Sequence, residues 1–408
     1  MDILIKPSVL KGRVDIPASK SCAHRALICA SLAGDSEISG INFSKDIDAT
    51  IQAMSALGSM IYKNHDSVDI SEKINPPEKA VIDCNESGST LRFVIPIAAA
   101  LGVETEFHGR GRLPQRPIDI YIRELSKHGI TFNYNNTMPF TISGRLTSGI
   151  YEIEGNISSQ FITGLLFALP LVEGDSEIVL TSHLESRPYV DITIDILKRF
   201  GIEITETENS FKIKGSQKYM PHDERVEGDY SQAAFFYVAN ALGSQVEIGN
   251  LNPDSVQGDK KIIELIDSVV KDGQITGYKA DCSDIPDLVP ILSVLGAYGN
   301  ETSVIYNAER LRIKESDRLT ACAEMLNNLG GDVTVTSDGL EINPVEELHG
   351  GTIESFGDHR IVMAGAVAAL CCSGDVIIKG AEAVNKSYPD FLNDYTKLGG
   401  VVNVIDLE

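Results

Sequence analysis

The sequence predicts an α/β protein built from six copies of one repeat unit. In each copy an apolar helix ends at a small turn with glycine and runs into an alternating strand, as in “CASLAGDSEISGI” and “VANALGSQVEIGN”. A second helix also stops at glycine and leads into another strand. The glycines that end the first helices lie 56 to 75 residues apart: Gly34, Gly102, Gly174, Gly243, Gly299 and Gly374. Six such units fill the 408 residues.

Each element of the unit has its own signal. The first helix is apolar nearly all round, which is typical of a buried helix. The second is amphipathic, as the spacing of Leu319, Cys322 and Leu326 shows in “SDRLTACAEMLNNLGG”. Glycine after the last turn supplies the left-handed residue that ends many helices. The predicted order is therefore strand, helix, strand, helix, strand, strand. Glycine-capped helices occur in any α/β protein, but six matches in a fixed order favour the repeat.

The repeats group into two lobes of three. The last unit, after Gly374, has too few residues left to complete its strands, and the strand-like N-terminal “DILIKPSVLKG” can supply the missing piece. One lobe is then discontinuous, over residues 1–16 and 226–408, and the other covers 17–225. The chain crosses between the lobes near “IPASK” and near “YMPHDERVEGD”, and two adjacent crossings predict a hinge.

The composition excludes several classes of protein. A formal net charge of −23 argues against nucleic-acid binding, which needs a basic face. The N-terminus lacks the apolar core of a signal peptide, and the run “IVMAGAVAALCC” is too short to span a bilayer. Seven cysteines without CxxC pairs indicate buried thiols in a reducing cytoplasm, and no residue pattern indicates a metal or a cofactor.

Small polar clusters mark the N-termini of the apolar helices. They read “ASKSCAHR”, “ESGSTLR”, “NISSQF”, “EGDYSQ”, “SDIPD” and “FGDHR”. Free N–H groups and the helix dipole make such N-termini anion sites. If the buried helices of a lobe are roughly parallel, these clusters converge and concentrate positive potential in an otherwise acidic protein. Each cluster taken alone also fits a simple helix N-cap.

Cations recur at the same places, although the helix dipole disfavours them there. They are Lys20, Arg25, Arg92, Arg116, Arg187, Lys314, Arg318, Arg360 and Lys386. Taken singly, each fits a solvated surface residue, but as a set they favour a substrate with several negative groups. Asp287 and Glu315 are the acid–base candidates, because a carboxylate held near a hydroxyl can remove its proton. Helix capping is the alternative role for Asp287. No Ser-His-Asp order, P-loop or GxGxxG motif is present.

These motifs together resemble the EPSP synthase family (3-phosphoshikimate 1-carboxyvinyltransferases). The residues that carry the resemblance run in the family's order over essentially the whole chain: “PASKSCAHRAL”, “ESGSTLR”, “RLPQRPID”, “NISSQFITGLL”, “ESRPYVDIT”, “DIPDLVP”, “RLRIKESDRL”, “GDHRIVMA” and “NKSYPDF”. The resemblance implies a two-lobed inside-out α/β barrel of six βαβαββ repeats, three per lobe, with the active site in the cleft between the lobes. It also implies a monomer.

The resemblance further implies an enolpyruvyl transfer from phosphoenolpyruvate to the 5-hydroxyl of shikimate 3-phosphate, with release of phosphate and without metal or cofactor. Matching motif positions assign the catalytic roles to Asp287 as base, Glu315 as proton donor and Lys20. The shikimate 3-phosphate contacts are Lys20, Ser21, Arg25, Ser158, Ser159, Gln160, Ser186, Tyr189, Asp287 and Lys314. The phosphoenolpyruvate contacts are Lys20, Gly88, Arg116, Gln160, Arg318, Arg360 and Lys386, with His359 as an accessory group.

Two positions depart from the family pattern. Glu86 stands where many members have asparagine, and Arg310 stands where the bacterial type often has asparagine, so neither receives a role. The nearest alternative is a UDP-N-acetylglucosamine enolpyruvyl transferase, but the loop “RGRLPQRPID” lacks that family's cysteine. A non-catalytic binding protein of the same fold is a second alternative, although Lys20, Asp287 and Glu315 are all present. RNA 3′-phosphate cyclases share a related repeat, but the acidic charge disfavours RNA.

Overall fold

A computed structural model describes residues 1–271 and 273–405. The α-helices in this part of the chain are α1 (Lys20–Ala33), α2 (Lys45–Ala56), α3 (Gly88–Leu101), α4 (Asp119–Lys127), α5 (Ser159–Ala168), α6 (Arg187–Arg199), α7 (Tyr230–Ala241), α8 (Lys261–Val269), α9 (Val289–Ala297), α10 (Arg318–Asn327), α11 (His359–Ala368) and α12 (Phe391–Lys397).

The strands up to the middle of the chain are β1 (Asp2–Lys6), β2 (Lys11–Asp15), β3 (Ser36–Ser39), β4 (Ile61–Lys63), β5 (Ser67–Ile70), β6 (Lys79–Asp83), β7 (Glu104–His108), β8 (Ile130–Asn133), β9 (Phe140–Gly144), β10 (Ile150–Ile153), β11 (Ser176–Leu180), β12 (Ile204–Glu206), β13 (Ser210–Ile213) and β14 (Glu224–Arg225). The later strands are β15 (Gln245–Gly249), β16 (Val270–Lys271), β17 (Gln274–Ile275), β18 (Lys279–Asp281), β19 (Ser303–Tyr306), β20 (Asp332–Val335), β21 (Leu340–Asn343), β22 (Gly351–Glu354), β23 (Val376–Lys379) and β24 (Val401–Ile405).

The chain divides into two compact units. The terminal unit consists of Met1–Pro17 with Gly228–Glu408, and the central unit is Ala18–Glu227. Each unit has its own hydrophobic core, made mainly of the first helices of its repeats and the inner faces of its sheets. A chain of this length is expected to split in this way, because single cores stop growing at roughly 250 to 300 residues.

The central unit contains three sheets of one design. Their strand orders are β6-β7-β9-β8, β10-β11-β13-β12 and β14-β3-β5-β4. In each sheet the first two strands are parallel and the other pairings are antiparallel. The parallel pair is joined through the apolar helix of the repeat, except that β14 returns from the end of the unit to β3 at its start. The third sheet therefore closes the set of three repeats.

The terminal unit repeats this design with strands from both ends of the chain. Its four-stranded sheets are β18-β19-β21-β20 and β22-β23-β1-β24. The N-terminal β1 pairs antiparallel with β23 and β24, with Ile3 opposite Ile378 and Val404. β1 therefore supplies the strand that the sixth repeat lacks. In the fourth repeat, β2 pairs parallel with β15, while β16 and β17 form a separate hairpin.

These repeats confirm the predicted fold class, and the burial of their helices explains why they pack. In α3, 12 of 14 residues are buried, and Gly102 ends the helix with φ 74° in the left-handed conformation. A Cβ on Gly164 of α5 would lie 2.3 Å from the Arg92 carbonyl oxygen and from the Tyr121 hydroxyl, so only glycine permits this approach of α5 to α3. The second helices bury one face, as α4 does with Tyr121 and Leu125.

Candidate active site

Arg318, the first residue of α10, is the centre of a buried charge cluster in the terminal unit. Its Nη1 donates to Asp287 Oδ1, its Nη2 to Glu315 Oε2 and its Nε to Asp358 Oδ2, each at 2.8 Å. The side chain is 2% exposed. Burial opposes the charge on Arg318, but the three carboxylates outweigh it and raise the pKa of the guanidinium. One permanent cation thus orients three carboxylates.

Asp287 is held by a second arginine as well. Arg360 Nη2 lies 3.1 Å from Asp287 Oδ2, and its Nη1 donates to the Asp287 carbonyl oxygen at 3.2 Å. Arg360 Nη2 also donates to Ser231 Oγ at 3.0 Å. A positive charge therefore lies beside each carboxylate oxygen of Asp287. Asp287 lies in the 3₁₀ turn Pro286–Leu288 before α9, and Leu288 occupies the N-cap position of that helix.

Asp358, which sequence reasoning left without a role, connects the starts of α10 and α11. Its Oδ1 accepts from the Arg360 backbone N–H at 3.0 Å, which caps α11. Its Oδ2 accepts from Ser316 Oγ at 3.0 Å as well as from Arg318. The carboxylate is fully buried, which would raise its pKa, yet the charge of Arg318 together with His359 lowers it. The signal in the sequence is its position immediately before His359 and Arg360.

The remaining predicted groups of the terminal unit surround this cluster. Lys314 follows a 3₁₀ segment, and burial lowers the pKa of its ammonium to about 8 although carboxylates nearby oppose the shift. His359 is 2% exposed, and its Nδ1 lies 3.9 Å from Asp358 Oδ1. Lys386 Nζ donates to the Gly357 carbonyl oxygen at 2.8 Å. The structure corrects one expectation, because Lys314 lies before α10 and only Arg318 begins that helix.

In the central unit, Lys20 begins α1 and is paired with a carboxylate. Its Nζ lies 2.8 Å from Asp46 Oδ2 of α2, and the two side chains are 21% and 14% exposed. Ser19 caps the helix by accepting from the Cys22 N–H at 3.4 Å. Ser21 follows Lys20 in the first turn. Asp46 was not among the predicted site residues, because its only signal in the sequence is its place in the first turn of the neighbouring helix.

Arg25 lies one turn further along α1 and connects it to the start of α6. Its Nε donates to Thr193 Oγ1 at 2.8 Å, its Nη2 to the Tyr189 carbonyl oxygen at 2.9 Å and its Nη1 to the Ser21 carbonyl oxygen at 2.7 Å. Burial lowers the pKa of Arg25 to about 10, so it remains charged at neutral pH. Ser186, before α6, adopts φ 56°, and its carbonyl oxygen accepts from the Tyr189 N–H. A non-glycine residue seldom adopts this conformation.

Gln160 and two arginines meet beside Gly88 at the start of α3. Arg92 Nη1 donates to Gln160 Oε1 at 2.7 Å, and Gln160 Nε2 donates to Ser89 Oγ at 3.0 Å, so the amide is oriented at both ends. A Cβ on Gly88 would lie 2.4 Å from Arg116 Nη1 and 3.2 Å from Arg92 Nη1. The lack of a side chain at Gly88 therefore leaves room for these guanidinium groups.

Two predicted serines precede Gln160. Ser158 caps α5 by accepting from the Gln160 N–H at 3.4 Å, and Ser159 is the first helical residue.

One predicted helix start is wrong. Arg116, predicted to open a helix, follows a 3₁₀ turn, and α4 begins only at Asp119. Proline at 117 restricts the backbone of Arg116 to an extended conformation, which is why the helix starts later.

The predicted groups thus fall into two sets. Asp287, Glu315, Arg318 and Arg360 form one network in the terminal unit, whereas Lys20, Arg25, Gly88 and Gln160 lie at three helix starts of the central unit. Both sets place cations at helix N-termini, an arrangement suited to anions carrying phosphate or carboxylate. Within residues 1–271 and 273–405, no three His, Cys, Asp or Glu side chains are grouped to hold a metal ion, and no helix has the length and apolar character to cross a bilayer.

The fold occurs in solved structures. Two structures of EPSP synthase from Acinetobacter baumannii align with TM-scores of 0.83 and 0.84 at 24% sequence identity. The first alignment covers 99% of this chain and 100% of that chain, and the second covers both chains completely. The fold class is therefore that of the EPSP synthases.

A family model assigns the chain within this class. The model described as EPSP synthase (3-phosphoshikimate 1-carboxyvinyltransferase) matches residues 4–395. A 3-phosphoshikimate 1-carboxyvinyltransferase from Clostridium novyi is 47% identical, with 98% of each chain covered, and one from Clostridium perfringens is 44% identical, with 98% of this chain and 99% of that protein covered. The chain belongs to the EPSP synthase family. The resemblance inferred from the motifs is confirmed.

Proposed function

We propose that this chain transfers the enolpyruvyl group of phosphoenolpyruvate to the 5-hydroxyl of shikimate 3-phosphate. The products are 5-enolpyruvylshikimate 3-phosphate and phosphate, on the shikimate pathway to chorismate and the aromatic amino acids. Family membership supports the reaction. The observation that carries the assignment of groups is the contact of one buried cation, Arg318, with both candidate acid–base carboxylates, Asp287 and Glu315.

In this proposal, shikimate 3-phosphate is bound by cations and hydroxyl groups at helix starts. The proposed contacts are Lys20, Ser21, Arg25, Ser158, Ser159, Gln160, Ser186 and Tyr189 of the central unit, with Asp287 and Lys314 of the terminal unit. The free N–H groups at the starts of α1 and α5 favour a phosphate there. Because Arg25 is already fixed by three hydrogen bonds, little conformational entropy is lost on binding.

Phosphoenolpyruvate is proposed to be bound by a larger share of the cations. Its contacts are Lys20, Gly88, Arg116, Gln160, Arg318, Arg360 and Lys386, and His359 is an accessory group. Guanidinium groups bind carboxylate and phosphate in a bidentate manner, and Gly88 leaves the space that Arg116 needs.

The proposed reaction is an addition followed by an elimination. Glu315 donates a proton to the methylene carbon of phosphoenolpyruvate, positive charge develops at C2, and the 5-hydroxyl oxygen attacks C2 while Asp287 accepts its proton. In the second half, the C2–O bond to phosphate breaks, Asp287 gives its proton to the leaving phosphate, and Glu315 takes a proton from the methyl carbon to re-form the double bond. Arginines beside both carboxylates stabilise the ionised forms of Glu315 and Asp287 without reorganisation of the site.

We also propose that the enzyme acts as a cytoplasmic monomer without a metal or cofactor. All seven cysteines are free thiols and six of them are buried, which supports a reducing compartment. The reaction as written balances protons within the two carboxylates and the substrates, and therefore requires no redox partner.

The experiment is a measurement of phosphate release from phosphoenolpyruvate with and without shikimate 3-phosphate. We expect release that depends strictly on shikimate 3-phosphate and that falls by about 10²- to 10⁴-fold in Asp287→Asn, because a general base contributes on that order. Asp284→Asn, three residues earlier in the same segment, is the matched control and should release phosphate normally. Release driven instead by UDP-N-acetylglucosamine, or none with either acceptor, would overturn the proposal.

A further inference from the structure

A chain of buried polar side chains connects α1, α2 and the start of α3. His24, in the second turn of α1, is 1% exposed, and its Nδ1 lies 2.7 Å from Thr50 Oγ1 of α2. Thr50 Oγ1 lies 2.7 Å from Thr90 Oγ1 of α3, and Thr90 Oγ1 donates to Ser87 Oγ at 2.8 Å. Ser87 caps α3 by accepting from the Thr90 N–H at 3.1 Å. All four side chains are at most 1% exposed.

The direction of the hydrogen bonds determines where the imidazole carries its proton. Thr90 has one hydroxyl proton and gives it to Ser87 Oγ. The alternative acceptor is the Asp46 carbonyl oxygen at 3.5 Å, and a carbonyl oxygen can only accept. Thr90 then has no proton left for Thr50, so Thr50 donates its single hydroxyl proton to Thr90. The contact between Thr50 and His24 requires Nδ1–H as the donor.

The opposite direction would be costly. If Thr90 donated to Thr50 and Thr50 to His24 Nδ1, the imidazole proton would be on Nε2. His24 Nε2 is buried and has no hydrogen-bond partner among residues 1–271 and 273–405, and a buried N–H group without an acceptor is rare and destabilising. Burial, together with the charges of Lys20 and Arg25, also lowers the pKa of His24 well below its usual value, so the ring is neutral.

We propose that neutral His24, with its proton on Nδ1, is a positioning residue that holds the start of α3 in a fixed relation to the starts of α1 and α2. The series of hydrogen bonds ends at Ser87, directly before Gly88, and it begins one turn after Lys20, whose partner Asp46 lies on α2. The inference rests on the proposed function, because it assigns to this series of hydrogen bonds the alignment of Gly88 and Lys20 for phosphoenolpyruvate. His24 itself touches no substrate in this scheme.

The first test is nuclear magnetic resonance of the intact protein with ¹⁵N-labelled histidine. The expected spectrum has a protonated, pyrrole-type Nδ1 and an unprotonated, pyridine-type Nε2 for His24, assigned by its loss in His24→Asn. A protonated Nε2 would overturn the inference, whatever the enzymatic activity proves to be. This result is therefore independent of the proposed function.

The second test compares variants by phosphoenolpyruvate binding in calorimetry, without shikimate 3-phosphate so that no turnover occurs, and by steady-state kinetics with both substrates. Thr50→Val removes the middle of the chain at nearly constant volume, and we expect the dissociation constant and KM for phosphoenolpyruvate to rise about tenfold, with a smaller change in kcat. His24→Asn retains a donor near the Nδ1 position and should stay near the natural protein. His24→Gln carries its amide further out and should behave as Thr50→Val does.

Thr105→Val is the matched control for a purely structural effect. Thr105 is also fully buried and gives its hydroxyl proton to the Val103 carbonyl oxygen at 3.0 Å, but it lies in β7, beyond the C-terminal end of α3. It should lose thermal stability without a change in phosphoenolpyruvate affinity. Equal affinities in Thr50→Val and the natural protein would overturn the positioning role. If the natural protein bound phosphoenolpyruvate but released no phosphate, the proposed function would fail while this comparison still stood.

Discussion

Arg318 and Asp358 form an ion pair that is almost completely removed from solvent, with Nε 2.8 Å from Oδ2 and side-chain exposures of 2% and 0%. The cost of burying two charges is offset only where hydrogen bonds satisfy the remaining atoms. Here Ser316 and the Arg360 N–H complete the contacts of the carboxylate, and Asp287 and Glu315 complete those of the guanidinium. The pair thus anchors the groups proposed to carry out the chemistry.

Neutralising the carboxylate of this pair should destabilise the protein. Asp358→Asn keeps a good helix cap for α11 but removes the charge, and we expect a loss of about 2 kcal/mol in the free energy of unfolding at neutral pH. The pKa of Asp358 is lowered in the folded state, so its contribution is present above the unfolded pKa and is lost as the pH falls through the folded one. Urea unfolding should show a larger difference between the variant and the natural protein at about pH 7 than at about pH 3.

Asp317→Asn is the control for that measurement. Asp317 also caps a helix, α10, and lies 3.4 Å from Arg312, but its side chain is 36% exposed. Exposed pairs contribute little, so its variant should lose less than about 1 kcal/mol. Equal losses in both variants would show that the buried pair contributes no more to stability than the exposed one.

The pH dependence of activity should report Lys314. Burial lowers the pKa of this ammonium to about 8, so the free enzyme loses its charge as the pH rises through that value. We expect kcat/KM to fall above about pH 8, because an anionic substrate is then attracted less. Bound anions favour the charged form, so the corresponding limb in kcat should lie at higher pH.

Lys314→Arg tests this assignment, since guanidinium remains charged at all accessible pH values. The variant should lose the alkaline limb even if its activity at neutral pH is reduced. A limb that stays at the same pH in Lys314→Arg would assign the limb to another group.

Burial of the charged Lys314 also predicts that the free energy of unfolding rises with pH between about 8 and 10.4, where the unfolded chain binds the additional proton.

Gly88 and Gly164 predict contrasting effects of one added methyl group. In Gly88→Ala the new Cβ meets the end of the Arg116 side chain at 2.4 Å, which can move, so stability should change by less than about 1 kcal/mol while KM for phosphoenolpyruvate rises roughly tenfold. In Gly164→Ala the methyl group meets the Arg92 carbonyl oxygen at 2.3 Å, which cannot move easily. We expect a loss of about 1–3 kcal/mol there, measured by urea unfolding. An unchanged KM in Gly88→Ala would contradict the role of Arg116.

The pairing of Lys20 with Asp46 should pre-organise the lysine for its substrates. Asp46→Asn removes this ion pair, the ordering of the Lys20 side chain then costs about 1 kcal/mol more on binding, and KM for phosphoenolpyruvate should rise about fivefold. Asp48→Asn on the same helix breaks an exposed pair with Lys63 at 2.7 Å and should leave KM unchanged. A lower KM in Asp46→Asn would show that the carboxylate acts by neutralising Lys20 instead.

The sequence alone was enough to predict the fold class, the sixfold repeat and the family. The reason is that these signals are local: glycines that end helices, apolar periodicity, and motifs such as “KESDR” and “GDHR” that are contiguous in the chain. The contribution of β1 to the sixth repeat was also accessible, because the last unit has too few residues for its strands. The roles of the individual site residues remain predictions.

The tertiary structure decided what each polar residue contacts. Asp287 had two interpretations in sequence, a helix cap or a base, and its contacts with Arg318 and Arg360 were visible only in the folded chain. Asp358 and Arg318 lie forty residues apart, and His24 reaches Ser87 through two other helices, so no local pattern predicts either relation. Helix periodicity arises from neighbours three and four residues away. Hydrogen-bond partners depend on which distant segments the packed core brings within about 3 Å.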